Sequence, residues 1–244
     1  MAQDNITDDA TRAGLEDLVL ANRILAENQV LDGFGHVSLR SPARADRYYL
    51  SRSLAPGIVT LEDLVEFDLD SNPVAAEKRK LYLERFIHGE IYRRRPDVQA
   101  IVHSHSATVV PFTVSSVPLK PIYHMAGFLA DGAPVFDIAE KFGHTDMLVT
   151  CHEHGAALAE SLGEAASSLM RGHGFVAVGS TLPIAVYRAI YTQQNAALQE
   201  TATNLGGEIR YLDPEEGRLA DRSIQTVMQR PWGLWTARAK NPKA

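Results

Sequence analysis

Apolar residues recur at helical spacing between about Ala10 and Leu31, at Leu15, Leu18, Val19, Leu25 and Ala26, behind Thr and Asp capping candidates. That period predicts an amphipathic helix, and Gly33 and Gly35 break it. The period then falls to two. "HVSLR", "RYYLS" and "LVEFDLD" predict short strands divided by Pro, Gly and Asp turns. After the polar connector "SNPVAAEKRK" the helical pattern returns from Leu81 to Arg95, and Pro96 ends it. "VQAIVHSHS" predicts the next strand; a short apolar segment and a Pro-rich stretch to Pro121 follow. Further strands are expected near "IYHMAGFL" and "PVFDI".

A helix is predicted from His154 to Leu162, stopped by Gly163, and then a strand pair or bent strand in "SSLMRGHGFVAVG". A long amphipathic helix starts near Thr181, with Pro183 in its first turn, and ends at Gly206 and Gly207. The tail "GEIRYLDPEEGRL…PWGLW" reads as a turn-rich C-terminal arm over about 208–244, and residues 1–11 are expected to be flexible. No repeat, linker or composition shift divides the chain, so one domain over 1–244 is expected.

Composition narrows the class. The 244 residues are 45% apolar and 22% charged, as in an ordinary globular protein with a full core. A net charge of −6 with no basic tract points away from nucleic acid and anionic membranes. Cys151 is the only cysteine, which excludes an internal disulfide and fits a reducing cytosol. The acidic start "MAQDNITDDATR" is unlike a secretory or transit signal, and no apolar run nears the roughly 20 residues of a membrane helix. A cytoplasmic protein is expected.

Chemistry enters at "VHSHS". Side chains alternate along a strand, so His103 and His105 project from one face where apolar Ile101 and Val102 stop. Two imidazoles so aligned can share a divalent ion, although an isolated pair is equally a surface feature. A rival His-x-His, His152 and His154, precedes a helical pattern. Residues two apart on a helix point about 200° from each other, which prevents shared chelation. His173 is the better complement: flanking glycines let the backbone aim one ring into a site. Three such ligands make an open catalytic metal site. Glu84, four residues before His88 on one helix face, is a further candidate.

Glu84, "HGEIYRRRPDVQAIV", His103/His105 and then "GHGFVAVG", in that order, resemble the class II aldolase/adducin superfamily over about residues 12–210. "GFGHVSLR" is similar to its glycine-rich loop. The resemblance implies an α/β fold, a three-layer α/β/α sandwich with a mostly antiparallel central sheet, assembled as a homotetramer with sites near subunit interfaces. It also implies His103, His105 and His173 as ligands of a divalent metal. Glu84 would be the acid/base and a displaceable fourth ligand. Manganese, zinc and other divalent transition metals all suit such a set.

The chain departs from the family's sugar-phosphate aldolases. Tyr82 and Leu83 stand where a phosphate-binding Ser-Ser pair is expected, and His36 replaces an Asn. Arg52 suits a carboxylate instead, and Ser51, His36, His88 and His124 can hydrogen-bond hydroxyl or carboxylate oxygens. The pattern resembles the decarboxylase branch, which implies a metal-dependent lyase removing carbon dioxide from a hydroxylated aromatic or pyridine dicarboxylate in catabolism. Glu84, its pKa raised by the site, or a water it orients, would supply the replacing proton. The alternatives are a retro-aldolase or epimerase on an unphosphorylated hydroxy-acid, or a non-catalytic adducin-like binding module.

Overall fold

The computed structural model describes residues 2–241, with side chains from Asp9 onward. Helix α1 (Ala2–Glu27) carries the first apolar stripe. The expected flexibility of residues 1–11 falls largely outside the described side chains. A meander of β1 (His36–Arg40), β2 (Arg47–Ser51) and β3 (Leu64–Asp68) follows, then α2 (Phe86–Arg94) and β4 (Ala100–Ser104). Next come α3 (Val110–Val114), the two-residue β5 (Val135–Phe136), α4 (Ile138–Phe142) and α5 (His152–Leu162). The chain closes with β6 (Ser167–Met170), β7 (Gly174–Gly179), α6 (Leu182–Leu205), α7 (Pro214–Thr226) and α8 (Gln229–Lys240).

The strands form one seven-stranded sheet in the order β3-β2-β1-β4-β7-β6-β5. All neighbours are antiparallel except β5 and β6. Alternation splits the core into two layers. Val37, Leu39, Ala100, Val102, Phe175 and Ala177 pack with α1, α6 and α8. Leu50, Phe67, Ile101, Val176 and Val178 face the other way, against α2 and α5. Helices therefore cover both faces, and the expected α/β/α sandwich is the observed fold. It also explains why β4 and β7 are apolar on both faces rather than alternating with polar residues.

Three expectations are corrected. The segment "IYHMAGFL" is not a strand: His124–Leu129 forms a 3-10 helix, with Gly127 pressed against the backbone of Gly217 in α7. The C-terminal arm is helical, not turn-rich. Asp213 caps α7 and Glu216 completes a capping box, while Trp232 and Trp235 of α8 are buried in the core layer that includes α1. Finally, the helix expected from Leu81 starts only at Phe86, after a 3-10 turn at Leu83–Arg85 in which Glu84 has φ −88° and ψ 20°. No helix among the described residues is long and apolar enough to cross a membrane.

Candidate metal centre

The end of β4 is the foundation. In register, His36 of β1 lies opposite His103, and Val176 of β7 flanks it on the other side. His36, Ser38 and His103 share the sheet face that α2 covers, since their neighbours Val37 and Val102 pack in the opposite layer. Gly35 makes this register possible. It has φ +80°, and a Cβ there would lie 2.8 Å from the His103 carbonyl oxygen. Beyond β4, the turn into β7 carries His173 between Gly172, at φ +62°, and Gly174, whose Cβ would overlap the Ser104 carbonyl oxygen. Both flanking glycines are thus required, one by its dihedral and one by close approach.

The side chains converge. His105 Nε2 lies 3.0 Å from His103 Nε2 and 2.9 Å from His173 Nε2. Glu84 Oε2 lies 3.4 Å from His103 Nε2, 3.5 Å from His173 Nε2 and 4.0 Å from His105 Nε2. Ligand atoms held about 2.0–2.2 Å from one ion stand roughly 3.0–3.5 Å apart, so the cluster has the dimensions of a coordination shell. The outer contacts agree. His103 Nδ1 donates to the Phe175 carbonyl at 3.2 Å and His173 Nδ1 donates to the Met147 carbonyl at 3.0 Å. Those bonds aim both Nε2 atoms at a common point, where each can give its lone pair to a cation or, when protonated, donate to Glu84. Nitrogen and carboxylate donors in this geometry fit a divalent transition metal.

One loop steadies the rest. Met147, itself at φ +70°, orients His173, while Val149 N–H donates to Glu84 Oε1 at 3.0 Å. Glu84 Oε2 is thereby left for the cluster. Burial pushes the Glu84 carboxyl up, but hydrogen bonds and charge from His103 and then His173 outweigh it and hold the group well below the usual carboxylate range. The expected raised pKa is therefore corrected: Glu84 is ionised. His105 is pushed down to about 4, first by burial and then by His103 and His173, so it too offers a lone pair.

The other expected site residues divide. His36 and Ser51 are both buried, and the His36 ring lies 5.0 Å from that of His103. The Tyr82 ring stands 4.6 Å from His36; its hydroxyl turns away onto the Leu54 carbonyl and lies 3.5 Å from Ser51 Oγ. Arg52 Nε donates to Asp63 Oδ1 at 2.7 Å, and its Nη atoms have no hydrogen bond among the described residues. His88 is a correction. It is fully buried, and its ring nitrogens are taken by His36 and Ser38, so it backs the site rather than facing a substrate. Burial, and then His103, push it down to about 3. His124 lies exposed, its ring 6.2 Å from that of Tyr123. The rival pair separates as expected: His152 Nδ1 meets Glu90 and His154 Nδ1 meets the Leu148 carbonyl.

The pattern of the class II aldolase and adducin N-terminal domain matches residues 16–200. Decarboxylase tropJ of Talaromyces stipitatus is 41% identical over 87% of this chain and 88% of its own. The 3,4-dihydroxyphthalate decarboxylase of Arthrobacter keyseri is 31% identical over 91% of this chain and 92% of its own. Among solved structures, the L-fuculose 1-phosphate aldolase of Glaciozyma antarctica superposes with a TM-score of 0.80, covering 97% of this chain and 92% of that one at 21% identity. That last likeness is one of fold. Taken with the relatives' names, the family match supports a lyase.

Proposed function

This chain belongs to the class II aldolase and adducin family, and on that premise we propose that it is a divalent-metal-dependent decarboxylase of a hydroxylated aromatic or pyridine dicarboxylate, or a related ring-derived acid, in catabolism. The observation that carries this reading is the wall beside the four ligands. A phosphate dianion needs several donors. Here Tyr82 directs its hydroxyl away to Leu54 and offers the flank of a ring, and Leu83 is apolar and exposed. Such a wall suits a planar substrate. The decarboxylase names of the relatives, one of them for an aromatic dicarboxylate, support the same direction.

In this reading Glu84, His103, His105 and His173 hold manganese, zinc or another divalent ion. When bound, the ion supplies a Lewis acid beside the scissile carboxylate. Arg52 anchors a carboxylate through its Nη edge, with Asp63 fixing the guanidinium plane. Ser51 and His36 contact oxygens of the same substrate. Ionised Glu84 orients the water that delivers a proton to the ring carbon as carbon dioxide leaves. The assembly expected is a cytoplasmic homotetramer.

The test is a product assay. Metal-loaded protein should release carbon dioxide from one or more members of a panel of hydroxylated aromatic and pyridine dicarboxylates and leave sugar phosphates uncleaved. Arg52→Lys, which keeps the charge but loses the planar fork, should weaken substrate binding roughly 10- to 100-fold. An aldehyde formed from a sugar phosphate, with Arg52→Lys behaving as wild type, would replace this reading by an aldolase.

A further inference from the structure

Behind the metal centre runs a buried chain of hydrogen bonds that the proposed reaction does not itself require. His36 Nδ1 meets His88 Nε2 at 2.6 Å, and His88 Nδ1 meets Ser38 Oγ at 2.6 Å. Ser38 Oγ meets Tyr92 Oη at 2.8 Å, and Tyr92 Oη reaches the Gln99 carbonyl at 3.4 Å. His88 and Ser38 are fully buried, Tyr92 is 1% exposed and His36 3%. Water does not interrupt the chain at such burial, so each facing pair of atoms shares one proton between them.

A carbonyl oxygen only accepts, so one order alone satisfies every bond of the chain, the Tyr92–Gln99 contact included. Tyr92 donates to Gln99, so its oxygen accepts from Ser38. The Ser38 oxygen then accepts from His88 Nδ1–H. His88 Nε2, left as a lone pair, accepts from His36 Nδ1–H. His36 Nε2 is the atom remaining, and it is a bare acceptor. The reverse order would leave Tyr92 with no proton for Gln99, one hydrogen bond fewer in a dry interior.

We propose that Tyr92, Ser38 and His88 are positioning residues that hold His36 in the tautomer with Nε2 unprotonated, and that this nitrogen selects a substrate carrying a hydroxyl hydrogen over its ether or keto counterpart. The geometry behind it is specific. His36 is the cross-strand neighbour of His103, on the same sheet face, with its ring 5.0 Å from that of His103. A substrate held at the four ligands therefore presents its ring substituents to His36. The selection of a hydroxylated substrate rests on the decarboxylase reading; the tautomer does not.

The experiment has two arms. In zinc-loaded protein labelled with ¹⁵N-histidine, the His36 resonances, identified by their loss in His36→Gln, should show Nδ1 protonated and Nε2 bare. Tyr92→Phe removes the link to Gln99 and should move His36 toward the Nε2-protonated form, and Ser38→Ala should do the same should Tyr92→Phe not fold. Protonated Nε2 in the wild type would overturn the proposal whatever the variants do. In the second arm, the zinc-loaded wild type should bind 3,4-dihydroxyphthalate on the order of 10- to 100-fold more tightly than its dimethyl ether, and the Tyr92→Phe or Ser38→Ala variant should narrow that ratio. A ratio unchanged in the variants would refute the selective role. The predicted tautomer together with no carbon dioxide from any phenolic acid would leave the relay standing and remove the decarboxylase reading alone.

Discussion

At the scale of single residues, the claim rests on three imidazoles and one carboxylate reaching a common point. His103→Ala, His105→Ala and His173→Ala should each lose most bound metal while the chain stays folded, because each removes one ligand from a four-ligand set. His152→Ala and His154→Ala should retain it, since those rings bond Glu90 and the Leu148 carbonyl instead. Elemental analysis of the purified variants decides, and full occupancy in the His173 variant would break the assignment. Glu84→Gln separates holding the metal from handling the proton. Its amide can still take the Val149 N–H bond, so metal should remain, while turnover should fall on the order of 10²–10⁴. Wild-type turnover in that variant would remove Glu84 from the chemistry.

At the scale of elements, the β4–β7 pair and the turn before β7 determine whether the ligands meet. Gly174→Ala would push a methyl group into the Ser104 carbonyl, and the strands can relieve the overlap only by moving apart. The expected cost is about 1–3 kcal/mol, with loss of metal because His173 moves with the turn. Gly206→Ala, at φ +73° after α6 with open space around it, should cost roughly 1–2 kcal/mol of backbone strain yet keep the metal. Comparing melting temperature with metal content in the two variants separates general destabilisation from damage to the site.

At the scale of the whole molecule, the centre ties β4, the β6–β7 turn, the segment before α2 and the loop before α5 to one point. Removing the ion should therefore lower stability as a whole. Metal at about 100 times its dissociation constant contributes about 2.7 kcal/mol. For a chain of this size that corresponds to a fall of roughly 5–10 °C in Tm on chelation, restored by adding metal back. An identical melting curve with and without a chelator would show that the four groups do not bind an ion in the folded state.

What the amino-acid sequence determined alone was whatever depends on short-range periodicity. Alternation placed His103 and His105 on one face, and the glycines around His173 marked a turn that needs both. The capping box at Asp213 and Glu216 was equally local and could have revealed α7; the Gly and Pro content around it read as turns instead. Tertiary structure alone decided the rest. Whether His88 faces a substrate or the interior depends on how α2 lies on the sheet, and the answer is the interior. Arg52 meets Asp63 only because the end of β2 lies beside the start of β3. The clamp on Glu84 and His173 is made by the backbone of Val149 and Met147, and a peptide group is the same in every residue. Such contacts leave no trace in side-chain identity, so no reading of residue types could have found them.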